Sequence, residues 1–124
     1  MEDPRLKRLT GICLGFPEAE RELVDPHATF RVRKRTFAYF LDDHHGDGIV
    51  GMTCKAAPGR NEELIASDPG RYYMPAYLGP RGWVALRLDT AEVDWDEVAG
   101  LVLESYLLTA PKRLGAQVLP GGSG

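Results

Sequence analysis

Residues 29–41 read Thr29-Phe30-Arg31-Val32-Arg33-Lys34-Arg35-Thr36-Phe37-Ala38-Tyr39-Phe40-Leu41, and the fold is decided here. Apolar and basic residues alternate through Val32, the period of a half-buried strand, and the aromatic-rich run from Thr36 to Leu41 reads as its partner. Arg33-Lys34-Arg35 between them is expected to be the first hairpin tip of the chain. Phe30 and Val32 then face a core while Arg31 and Arg33 face solvent. The same period extends in both directions, from Glu20 to Lys55, and predicts three or four antiparallel strands. Asp42 to Gly48 (DDHHGDG) is a longer polar loop, and Gly48 to Cys54 carries Ile49, Val50 and Met52 as a further strand.

Helical periodicity takes over outside this region. Leu6, Leu9, Cys13 and Phe16 mark one face of a helix over Pro4 to Gly15, capped by Asp3 and closed before Phe16-Pro17. Pro58 to Ser67 reads as a short helix ended by Asp68-Pro69-Gly70. Two strands are expected next, Arg71 to Leu78 and Gly82 to Leu88, joined by a Gly79-Pro80-Arg81-Gly82 turn. Asp94 opens the last helix, with Glu97 in a capping-box-like position and Val93 and Val98 placed as a hydrophobic staple. Trp95, Val98, Leu101, Val102 and Tyr106 form its buried stripe, and Pro111 stops it. Hairpin-spaced strands do not fit parallel βαβ units. The expected class is α+β, an antiparallel sheet packed against helices. Residues 1–114 form the single domain and 115–124 a flexible tail.

Composition narrows the function classes. The 124 residues are 44% hydrophobic and 27% charged, ordinary for one globular domain, and 14 Gly with 9 Pro fall short of a disordered chain. A net charge of −3 excludes a bulk polycation, so any contact with nucleic acid needs a local patch. No apolar run is long enough to span a membrane, and the opening MEDPRLKRLT lacks the pattern of a secretory signal. Cys13 and Cys54 stand far apart and form no CxxC, which suits reduced thiols in the cytoplasm. A monomer is expected.

The basic cluster Arg31, Arg33, Lys34 and Arg35 is the strongest functional lead, because a hairpin would project four cations that can meet phosphates. A solvated hairpin that keeps an edge soluble accounts for the same residues. Arg81 and Arg87 on the second expected hairpin add a second charged element. The acidic block from Asp89 to Glu104, with six carboxylates and no Lys or Arg, must then lie away from a bound polyanion. Tyr77 and Trp83 flank the second turn, where they can frame a groove or pack on Arg81. His44-His45 invites a metal reading, but no further His/Cys group lies at ligand spacing, so no metal site and no cofactor are expected. Ser67 and Ser105 lack a nucleophile-elbow setting and neither cysteine sits in a catalytic signature. Phosphate-cradling glycine motifs are missing too. The expectation is a protein without catalytic residues.

These residues resemble a known family. Phe30 to Phe40 looks like the F-x-V-x-x-K-x-F-A strand pair of MmcQ/YjbR-like proteins. Tyr77-Leu-Gly-Pro-Arg-Gly-Trp-Val-Ala-Leu-Arg-Leu-Asp89 is similar to their Lys/Arg-x-Trp-hydrophobic strand followed by Leu-Asp. Leu103-Glu-Ser-Tyr-Leu-Leu108 matches their Ser-Tyr-x-Leu helix end, with Lys112 beyond, and Cys13 to Ala19 resembles their entry into the first strand. The resemblance implies a CyaY-like fold and a double-wing role in which two loops approach DNA. The first wing would hold Arg31, Arg33, Lys34 and Arg35, and the second Arg81 with Trp83 at its base. Relatives often carry small residues or glycine where this chain has Arg33-Lys34. The frataxin side of the fold implies iron held by an acidic first helix, but Arg5, Lys7 and Arg8 argue against that here. The leading expectation is thus a small DNA-binding protein, and the alternative is a protein-interaction or small-ligand module using the Tyr77–Trp83 region.

Overall fold

The period-two region forms four strands, β1 (Ala19–Val24), β2 (His27–Val32), β3 (Arg35–Asp42) and β4 (Val50–Lys55). The computed structural model describes residues 2–118. Around the strands lie α1 (Pro4–Cys13), α2 (Arg60–Ser67), β5 (Tyr72–Tyr73), β6 (Trp83–Arg87), α3 (Trp95–Thr109) and α4 (Lys112–Ala116). All six strands make one antiparallel sheet in the order β1-β2-β3-β4-β6-β5. The expected α+β architecture is thus present, with α1 and α3 packed on one face of the sheet. The chain turns first between β1 and β2, at Asp25-Pro26, so the basic tip belongs to the second hairpin and not the first.

Facing positions explain the burial. Ala28, Phe30 and Val32 of β2, Phe40 of β3 and Met52 and Cys54 of β4 point to the helices and are buried. Leu6, Leu9 and Cys13 of α1, with Val98, Leu101, Val102 and Tyr106 of α3, cover them. Pairing slips between Phe30 and Arg31, where Phe30 opposes Ala38 and Arg31 opposes Thr36, leaving Phe37 as an inserted residue. This bulge lets both Phe37 and Ala38 bury their side chains. Phe37 meets Tyr106 edge-on at 5.5 Å between ring centroids, and Phe16 stacks on Tyr106 at 4.8 Å.

Several expectations are corrected. The strand pair expected over residues 71–88 is not joined by a tight turn. Its first arm pairs only at Tyr72 and Tyr73, because Pro75 has no N–H to donate to the ladder. The chain then crosses the outer face of the sheet and makes a single helical turn at Gly79–Arg81 before β6. A Cβ at Gly79 would stand 2.5 Å from the Met74 sulfur, so a larger residue there must displace the Met74 side chain. Asp94 caps α3 as expected, accepting from the Asp96 and Glu97 amides. Glu97 does not complete the capping box, since its carboxylate is taken by Arg71 and by the Tyr72 hydroxyl at 2.8 Å. Helix α4 takes in Gly115 and Ala116, which the sequence assigned to the tail, and buries Leu114 and Gly115. The rest of that expected tail, residues 119–124, lies outside the described residues.

Candidate nucleic-acid interface

Antiparallel order decides which cations meet. The end of β2, the start of β3, the end of β4 and the start of β6 all lie at one end of the sheet. Arg35 opens β3, Lys55 closes β4 opposite Trp83, and Arg81 sits in the turn just ahead of β6. Their side chains line one cleft of about 410 Å3, with Tyr39, Trp83 and Leu108. Two strand spacings separate β3 from β6, roughly 10 Å, which is about the rise of three nucleotides in a DNA strand. Lys34 precedes Arg35 on the hairpin tip but lines a separate hollow with Glu18, Glu20 and Arg33. Among the described residues Lys34, Arg35, Lys55 and Arg81 make no ion pair.

The other expected site residues are differently placed. Arg31 pairs with Glu22 of β1 at 3.0 Å. Arg33 is held bidentately by Glu18 at 2.6 and 3.0 Å, and these bonds hold the Glu18 carboxyl below its ordinary value. Arg87 lies at the far end of the sheet and pairs with Asp89 at 2.9 Å, which depresses the Asp89 carboxyl in turn. The structure therefore brings Arg35 and Arg81 together in the cleft and leaves Arg31, Arg33, Lys34 and Arg87 outside its lining. Of the acidic block, Asp89 to Glu97 lies at or before the first turn of α3, while the last turn, at Leu108 and Thr109, faces the cleft. Fifteen residues of helix put about 20 Å between them. Glu104, the sixth carboxylate, pairs with Arg60.

Two buried polar side chains hold the cleft in shape, and neither was foreseen in the sequence. Ser105 donates to the Phe37 carbonyl at 2.6 Å and accepts from the Lys55 amide at 2.9 Å, so it ties the bulge of β3 to the end of β4. A buried hydroxyl satisfied twice by backbone is a structural clamp, not a nucleophile. Asn61 of α2 donates to the carbonyls of Gly79 and Trp83, both at 3.1 Å, and so fixes the Arg81 turn. Lys55 was missed as well. Its signal was the strand order, since the end of a fourth antiparallel strand must return beside the start of the third.

Tyr77 is 85% exposed and Trp83 is 8% exposed. Trp83 therefore forms part of the floor, tilted against Tyr39 at 5.7 Å between centroids. The thiols of Cys13 and Cys54 are free and buried, and burial pushes Cys54 up to about 12. The His27 and His44 rings meet edge-on at 5.3 Å, with His27 accepting from the Asp42 amide. Among the described residues no group of three or more His, Cys, Asp or Glu side chains is placed to hold a metal ion. No helix among them is long and apolar enough to cross a membrane.

A helix-backed antiparallel sheet with a cationic cleft at one end defines the class: a small α+β protein with unpaired basic loops. The YjbR family model matches residues 14–108. The chain belongs to the YjbR family. The crystal structure of Deinococcus radiodurans protein DR2400, described as a DUF419 domain, superposes with a TM-score of 0.72 at 24% identity, covering 100% of this chain and 99% of that one. A Pseudomonas syringae protein of known crystal structure superposes with a TM-score of 0.64 at 15% identity, over 87% of this chain and 100% of that one. At these identities the likeness is one of fold. No curated protein matches the sequence.

Proposed function

We propose that the chain is a non-catalytic, cytoplasmic DNA-binding protein whose phosphate contacts lie at the end of the sheet where Arg35, Lys55 and Arg81 meet. The observation that carries this reading is their convergence from three separate segments into one cleft without a carboxylate partner. Unpaired cations around a concave surface raise the local potential despite the negative net charge. The basic hairpin tip and the Gly79–Arg81 turn act as the two wings. Titrating labelled DNA across a salt series tests the reading. Affinity should fall as salt rises, and Arg35→Ala or Arg81→Ala should each reduce the slope of log K against log salt by about one unit. Because both side chains are exposed and unpaired, stability should change by less than about 0.5 kcal/mol. Absence of binding to any DNA at low salt would end the proposal.

A further inference from the structure

A second cavity, of about 470 Å3, opens on the outer face of the sheet and shares Tyr39 and Leu78 with the cationic cleft. Its floor is a single row across the strands, because Tyr39 opposes Thr53, Thr53 opposes Ala85, and Ala85 opposes Tyr73. The Tyr73 hydroxyl lies over Gly51, where a Cβ would stand 2.9 Å from it. Residues Pro75 to Leu78 form the opposite wall, with the Tyr77 ring exposed at the rim. Most of the lining is apolar or aromatic. His44, Asp47 and Thr53 are its polar members, and the Thr53 hydroxyl is buried with no hydrogen-bond partner. Such a group costs free energy unless something in the pocket completes it.

We infer that this pocket takes one nucleobase of a DNA strand whose phosphates occupy the adjoining cleft, so that the ligand is single-stranded. The inference rests on the phosphate-binding reading above and adds the base to it. Aromatic side chains stack on any base through its π-face, and a cavity of this size with few polar groups suits a flat heterocycle. The Thr53 hydroxyl can donate or accept at the base edge. A base inside a duplex is stacked and paired and cannot enter the pocket without being extruded. The shared wall at Tyr39 and Leu78 sets phosphate and base sites side by side, as a nucleotide requires.

The test uses the full chain and three labelled probes: oligothymidylate, an abasic strand of equal length, and a duplex. Oligothymidylate should bind at least about fivefold more tightly than the abasic strand, the lower end of what stacking one base supplies. Tyr77→Asn, a change at an 85% exposed side chain, should shrink that ratio and leave the salt slope alone. Thr53→Val, checked for folding by thermal melt, should shrink it too. Arg81→Ala should instead flatten the salt slope for both strands equally. Equal affinity for thymidylate and abasic strands overturns the base pocket while the phosphate reading survives. Tighter binding to duplex than to thymidylate overturns it as well. If no probe binds, the phosphate reading has failed and the pocket inference with it.

Discussion

Lys34→Gly should make the protein more stable and a weaker DNA binder at once. Lys34 is the second residue of a two-residue hairpin turn and holds φ at 66°, next to Arg33 at 50°. A turn of this kind suits the right-handed twist of β2 and β3, but it favours Asn or Gly at both positions. An L-residue in the left-handed region costs roughly 1–2 kcal/mol. Glycine removes that cost and returns roughly 0.5–1 kcal/mol through its freer unfolded chain. The Lys34 side chain is exposed and makes no ion pair, so nothing else is lost. The net gain is about 0.5–1 kcal/mol, or about 2–4 °C in melting temperature for a domain of this size. Thermal unfolding followed by circular dichroism measures the first effect. A DNA titration measures the second, in which the salt slope should drop by just under one unit. A melting temperature that stays put or falls would refute the turn geometry. A higher melting temperature with unchanged DNA affinity would return Lys34 to a solvated surface charge.

Trp83→Ala should separate folding from binding, because the indole is 8% exposed against Tyr39; chemical denaturation should show a loss of about 3–5 kcal/mol. Acid should weaken the fold. Hydrogen bonds from Arg5 and Arg87 hold the Asp3 and Asp89 carboxyls below their ordinary values. A depressed carboxyl contributes stability that is present above its unfolded value and is lost as pH falls through the folded one. Melting temperature should therefore be flat near neutrality and decline below about pH 4, and no decline there would show that these pairs add nothing.

The strand pair at residues 29–41 and the helix begun by Asp94 were legible in the sequence because each buries one regular face. Period two and period 3.6 are then written directly into the residues. The segment from Arg71 to Leu78 misled because Tyr72, Tyr73 and Tyr77 have strand composition. Pro75 was the contrary signal, and it outweighs composition because a missing donor cannot be recovered by side-chain preference. Glu97 sat at the right spacing for a capping box, yet a nearby guanidinium and phenol made better partners than one backbone amide. The basic cluster was visible as a run of charge, but its pairing was not. Arg31 and Arg33 meet Glu22 and Glu18 only once β1 is laid beside β2. Lys55 entered the cleft by the same long-range logic.

Three backbone outliers, Glu18, Arg33 and Lys34, gather at the hairpin-tip end of the sheet. Among the described residues five non-glycine positions have positive φ: Glu18, Arg33, Lys34, Asp43 and Tyr77. Asp43 has a local reason, since its carboxylate accepts from the Gly48 amide at 2.7 Å. Glu18 and Arg33 are joined to each other by two hydrogen bonds. Lys34 and Tyr77 have no hydrogen bond through their side chains among the described residues, and both are exposed. Glycine would fit either backbone at lower cost. Strain that no internal contact offsets is most economically explained by what the side chain does to something outside the chain. One of these two residues carries a cation on the basic hairpin tip, and the other carries a ring at the rim of the aromatic pocket. If that is why they are there, replacing either by glycine should raise the melting temperature and lower affinity for single-stranded DNA. The two losses should differ in kind, Lys34→Gly reducing the salt slope and Tyr77→Gly reducing the preference for a strand that carries bases.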